Sequence, residues 1–131
     1  MTTVYVFSLK EDGNTTVFRN FKVKEFACKD GSDPVFISYK LGYLLQKIRG
    51  HFNAPVIINS AYRTASHNKE VGGAAFSQHL YGAAADIVVK GVDPAAVADY
   101  AEKVLGNSGG VGRYDTFTHV DTRPTKSRWK G

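Results

Sequence analysis

Ser77-Gln-His-Leu-Tyr-Gly-Ala-Ala-Ala-Asp86-Ile-Val-Val89 sets a histidine and an aspartate seven residues apart around one glycine and three alanines. Glycine and alanine let the backbone turn tightly and pack without bulky side chains, so a turn here can bring His79 and Asp86 together. From Asp86 the chain runs on through Ile-Val-Val, a short apolar β-branched stretch that predicts a strand. Beyond it, Asp93 is placed to cap a helix with Pro94 at its first position. Val97, Ala101, Val104 and Leu105 share one face of that helix, and Gly106 ends it.

After Gly109-Gly110, Val111 to Tyr114 and Phe117 to Asp121 read as two strands of a hairpin around Asp115-Thr116. Upstream of the opening stretch, Pro55-Val-Ile-Ile-Asn59 reads as a buried strand and Ser60 to Ala75 as a polar, glycine-containing loop. Ile37, Leu41, Leu44, Leu45, Ile48 and Phe52 recur at helical spacing, with Lys47, Arg49 and Gly50 marking a C-terminal end. Val4 to Leu9 and Thr15 to Phe18 flank Glu11-Asp12-Gly13-Asn14, which predicts an N-terminal β-hairpin extension within residues 1–20. Strands and helices without regular βαβ alternation favour an α+β domain: a mostly antiparallel central sheet with helices packed on it. Residues 1–131 are expected to form a single domain.

Composition narrows the class. With 43% hydrophobic and 22% charged residues the chain is expected to be globular rather than disordered. It contains no run of about 18 apolar residues, so no membrane-spanning helix is expected. The start, Met1 to Val17, lacks the basic, apolar and cleavage regions of a signal peptide, so synthesis in the cytoplasm is expected. Cys28 is the sole cysteine and is read as a buried or half-buried thiol that cannot pair within the chain. The net charge of +5 suits any polyanion, yet the basic residues are scattered and no nucleic-acid motif accompanies them. The cluster Arg123, Lys126, Arg128 and Lys130 reads as a solvated, fraying tail.

The histidines carry the chemical signal. Zinc takes nitrogen, sulfur and carboxylate donors in tetrahedral array, and a catalytic site keeps three protein ligands with the fourth place left to water. His51, His67, His79 and His119 are available. His119 and Asp121 stand two apart in a predicted strand, so both side chains leave the same face. One can ligate while the other handles protons.

Ser77-x-His79-x-x-Gly82-x-Ala84-x-Asp86, followed by His119, resembles the signature of the zinc D-Ala-D-Ala carboxypeptidase family of murein peptidases. Phe21-Lys-Val-Lys-Glu-Phe26, Asn59-Ser-Ala-Tyr-Arg63, His67-Asn68, Val71-Gly-Gly-Ala74, Gly109-Gly-Val-Gly112 and Phe117-Thr-His-Val-Asp121 resemble it in order and spacing, covering residues 21 to 129. The resemblance implies one zinc ion held by His79, Asp86 and His119 on a sheet face, and peptidoglycan stem peptides as substrate. It implies action at the bacterial cell wall, reached by lysis or another export route. Arg63 resembles the family arginine that meets substrate, and Ser77 is a candidate for substrate binding or structural support. His51 and His67 fit no ligand position.

In the best-known family variants an acidic residue lies three positions before the last histidine, where this chain has Thr116. Asp121 is the expected general base, with Asp115 as the other choice and a structural role for Asp121 as the competing reading. Carboxypeptidase and endopeptidase activity both stay open, as does a zinc-containing wall-binding module that hydrolyses nothing. Tyr62, Tyr81, Phe117 and Trp129 are assigned to the core rather than to the site.

Overall fold

A computed structural model describes residues 3–131 of the chain. Five strands form the central sheet: β5 (Val56–Ser60), β6 (Ala84–Val89), β7 (Gly110–Arg113), β8 (Thr118–Asp121) and β9 (Ser127–Lys130), in the order β5-β6-β8-β7-β9. All neighbours are antiparallel except β7 and β9, which run parallel. Two strand pairs lie outside that sheet: β1 (Val4–Ser8) with β4 (Pro34–Ser38), and β2 (Thr16–Phe18) with β3 (Phe21–Lys22). The helices are α1 (Leu9–Asp12), α2 (Tyr39–Phe52), α3 (Ala65–Glu70) and α4 (Pro94–Leu105), with 3-10 turns at Val23–Phe26 and Gln78–Tyr81. The domain is α+β, with α2 and α4 packed on the sheet and on each other.

The α4 segment follows the sequence rules closely. Asp93 accepts a hydrogen bond from the Ala95 amide, Pro94 opens the helix, and Val97, Ala98 and Ala101 are buried. Helix α2 buries Leu41, Leu44, Leu45 and Ile48, and it runs through Gly50 to end at Asn53 in the left-handed conformation (φ 48°). Its start differs from the periodicity: Ile37 belongs to β4, paired with Tyr5, and the helix begins after Ser38. Ile37 matches the helical phase because it stands four residues before Leu41 and sinks into the same core.

The N-terminal segment is not the hairpin the sequence predicts. Strand β1 ends at Ser8, whose hydroxyl accepts from the Glu11 amide while its own amide donates to the Asp12 carboxylate. Asp33 accepts from the Ser8 hydroxyl and from the Lys10 amide. These caps turn the chain into α1, so β1 pairs with β4 and β2 pairs onward with β3. The predicted loop from Ser60 to Ala75 contains α3, which Thr64 caps through its hydroxyl and the His67 amide.

The basic tail is ordered. Residues Ser127–Lys130 form β9, and the Arg128 guanidinium donates to the carbonyls of Gly106, Ser108 and Gly109. The carbonyls of the segment that follows α4 thereby gain a cationic donor, which is why Arg128 is held rather than solvated.

Alternation along β6 and β8 divides the sheet faces. Ala85, Ile87, Val89 and Val120 join the apolar core, whereas Asp86, His119 and Asp121 occupy the other phase. Gly82 sets the entry into β6: its φ is +67°, and its Cα lies against the Phe36 carbonyl, where a Cβ would collide with backbone. Gly82→Ala should therefore lower stability by roughly 1–3 kcal/mol, measured by urea denaturation, through both strain and contact.

Candidate metal centre

The sheet register makes Asp86 and His119 direct partners on adjacent strands, so their side chains leave one face side by side. His79 comes from a different kind of element, the 3-10 turn Gln78–Tyr81, whose Ser77 hydroxyl accepts the His79 amide. That turn is docked against the β5 end by a hydrogen bond from the Arg63 amide to the His79 carbonyl. The three residues nominated as ligands thus meet: Asp86 carboxylate oxygens lie 2.9 Å from His119 Nδ1 and 3.4 Å from His79 Nε2. One donor atom from each lies within 4.8 Å of the other two.

Each imidazole is anchored through its far nitrogen. His79 Nδ1 lies 2.6 Å from the Ala61 carbonyl oxygen, which can only accept, so Nδ1 carries the hydrogen. His119 Nε2 lies 2.7 Å from the Asp121 carboxylate and likewise donates. In neutral rings His79 Nε2 and His119 Nδ1 are therefore bare lone pairs, and both face the Asp86 carboxylate. Such a contact between acceptors is bridged either by a further proton on the ring or by a metal ion. The donor chemistry and the anchored ring tautomers fit a metal ion with imidazole and carboxylate ligands.

Where a proton rather than a metal bridges this contact, the carboxyl and imidazole groups shift accordingly. Burial alone would raise the Asp86 carboxyl, but hydrogen bonds from His119 and His79 outweigh it and hold the group below the usual carboxylate range. Burial would lower His119, yet its bonds to Asp121 and Asp86 raise it above the ordinary histidine value. For Asp121, burial is outweighed by hydrogen bonds from Arg123 and His119, and its carboxyl is held low.

Asp121 approaches His119 from behind the centre. It is fully buried and accepts from the Gly110 amide (2.9 Å), the Arg123 amide (3.2 Å) and two nitrogens of the Arg123 guanidinium (2.8 and 2.7 Å). Gly110 is required for this arrangement because a Cβ there would occupy the space of the carboxylate. The open side of the centre is a cleft of about 510 Å³ lined by Arg63, Phe76, Ser77, Tyr114, Phe117 and Trp129 together with His79, Asp86 and His119. Asp86 is the one carboxylate in that lining among the described residues, and Asp115 and Thr116 are exposed in the turn between β7 and β8.

Arg63 enters the cleft with its guanidinium 3.5 Å from Asp86, held by Ser60 Oγ (3.2 Å) and Asn68 Oδ1 (3.3 Å). Phe117 and Trp129, which the sequence assigns to the core, form part of the wall instead. The Trp129 ring centroid is 4.9 Å from that of His119, and Trp129 Nε1 donates to the Tyr114 hydroxyl. Tyr114 stacks on Phe117 at 4.4 Å, and the Arg123 guanidinium lies 5.4 Å from the Trp129 centroid. Sequence reasoning missed Tyr114, Arg123 and Asn68. Only the two-residue offset of Arg123 from Asp121 offered a signal, and bidentate Arg–carboxylate pairing is not specified by spacing alone.

An imidazole from a 3-10 turn, a second from a strand and a carboxylate from the neighbouring strand, with an arginine at the rim of an open cleft, make a candidate metal centre. Residues 17–121 match the profile of the family described as peptidase M15, and the chain belongs to that metallopeptidase family. It is also 38% identical, over 96 residues, to a protein of Haemophilus influenzae named probable peptidoglycan L,D-endopeptidase MepK. That match covers 68% of this chain and 50% of the relative, so the chain spans about half the length of the protein it resembles.

Removing the guanidinium behind Asp121 leaves a buried carboxylate with fewer donors. Arg123→Ala should cost about 1–3 kcal/mol in urea denaturation. Lys130→Ala, which removes an exposed side chain, should change stability by less than about 0.5 kcal/mol.

Proposed function

We propose that this chain is a zinc peptidase that hydrolyses peptide bonds of peptidoglycan stems, with zinc held by His79 Nε2, Asp86 and His119 Nδ1. One observation carries the reading: two imidazoles, each anchored through one ring nitrogen, turn the other toward one carboxylate beside an open cleft. When bound, zinc supplies a Lewis acid that acidifies water and polarises a carbonyl.

The chain's own residues do the rest. Arg63 is a fixed, planar donor at the cleft edge and suits a carboxylate or carbonyl of a stem peptide. Ser77 anchors the His79 turn and presents its position to the cleft, combining support with substrate contact. Tyr114, Phe117 and Trp129 give the peptide an aromatic wall. Asp121 takes the role of a positioning residue: saturated by Arg123 and Gly110, it fixes the His119 ring and raises its basicity as a ligand, rather than accepting a proton in the cleft. The site of action is the bacterial wall, and no helix among the described residues is long and apolar enough to cross a membrane.

A second reading, a zinc-containing wall-binding module without turnover, draws on the exposed Thr116 and on the lack of a further carboxylate in the cleft lining among the described residues. Digestion of isolated peptidoglycan separates the two. The peptidase reading expects new peptide fragments by mass spectrometry, their loss on chelation, and their return with added zinc. His79→Ala should abolish cleavage, and Asp121→Asn should weaken zinc retention at this centre roughly 10–100-fold while leaving the fold intact. Intact walls after digestion by the zinc-loaded protein, with the protein retained on them, would establish the binding module instead.

A further inference from the structure

Among the described residues, metal-ligating side chains converge in one other place. Cys28, Asp30 and His67 each offer a donor atom, and the three atoms lie within 4.8 Å of one another. None of them lines the cleft. Cys28 is 3% exposed and follows the 3-10 turn Val23–Phe26, Asp30 is exposed two residues on, and His67 lies in α3.

The segments that bring them together are tied by backbone and side-chain bonds. The Tyr62 amide donates to the Phe26 carbonyl at 3.1 Å, and the Thr64 hydroxyl donates to Asp30 Oδ2 at 2.8 Å. The Ser32 amide donates to Asp30 Oδ1 at 2.9 Å. The Asp30 carboxyl is held well below its usual range by hydrogen bonds from Ser32 first, then from Thr64 and Cys28.

One donor in this cluster lacks a partner, and another is held only through its sulfur. His67 Nδ1 is enclosed without a hydrogen bond, with a Glu70 carboxylate oxygen 3.7 Å away. The Cys28 thiol makes only weak sulfur bonds: it accepts from the Thr64 amide at 3.5 Å, stands 3.9 Å from the Thr64 hydroxyl and donates to Asp30. An enclosed imidazole nitrogen without a partner is costly, and a nearby thiol and ionised carboxylate are the groups that a divalent ion would bind with it.

We propose that Cys28, Asp30 and His67 form a second metal site that takes zinc or a similarly borderline divalent ion through a thiolate, a carboxylate and an imidazole. Binding replaces the thiol proton, which leaves to solvent, and gives the His67 imidazole a metal bond. Zinc–sulfur and zinc–nitrogen bonds of about 2.3 and 2.0 Å suit donors gathered this closely, and Asp30, being exposed, has room to adjust. The role is structural. Thr64 touches both Cys28 and Asp30 and directly follows Arg63, so the ion would pin the segment that delivers Arg63 to the cleft.

This inference does not depend on the assignment of the centre at His79, and the test reads both. The full chain is purified from zinc-supplemented medium, desalted, and measured for zinc per chain by elemental mass spectrometry. Two zinc ions are expected in the unaltered protein, one in Cys28→Ala, one in His79→Ala and none in the double variant. Cys28 is buried, so Asp30→Asn serves as a variant at an exposed position. It should weaken retention of one ion at least tenfold with an unchanged circular dichroism spectrum. Cobalt substitution should give a thiolate-to-metal charge-transfer band that His79→Ala keeps and Cys28→Ala loses. A zinc count that neither Cys28→Ala nor Asp30→Asn lowers, or a cobalt protein without a thiolate band, overturns the proposal.

Discussion

Two hydrogen bonds on the far side of two imidazole rings govern the centre. The Ala61 carbonyl and the Asp121 carboxylate can only accept, so they decide which nitrogen of His79 and of His119 carries hydrogen. That decision turns the opposite nitrogens toward Asp86, where a proton or a metal ion can bridge ring and carboxylate. The anchors are themselves fixed, Ala61 by its place beside β5 and Asp121 by Arg123 and the Gly110 amide.

The sheet converts distant sequence into this proximity. Adjacent strands β6 and β8 pair Asp86 with His119, and strand alternation keeps both off the face that α2 and α4 cover. His79 needs no strand, because the tight turn through Gly82 carries the chain from the 3-10 helix straight into β6. Apolar packing on one face therefore holds a polar constellation on the other, and the two phases of the same strands do both jobs.

Much of this was legible in the sequence, for reasons that can be named. The Asp93–Pro94 start of α4 is local chemistry, and the β7–β8 hairpin follows from two short apolar runs around a polar turn. His79, Asp86 and His119 were nominated through a family pattern and converge as that pattern requires. What escaped was long-range. Strand β1 had two candidate partners of similar character, and the caps supplied by Ser8, Asp12 and Asp33 chose β4 over β2. Strand β9 looked like a solvated tail because charge is visible in sequence, whereas the carbonyls that Arg128 satisfies are not. The direction from which Asp121 meets His119 depends on Arg123 and Gly110, which spacing does not encode.

Trp129 is the single tryptophan of the chain, and its indole packs beside His119 with the Arg123 guanidinium nearby. The one indole of the chain therefore borders the candidate centre, and a change at that imidazole alters the surroundings of a natural fluorophore.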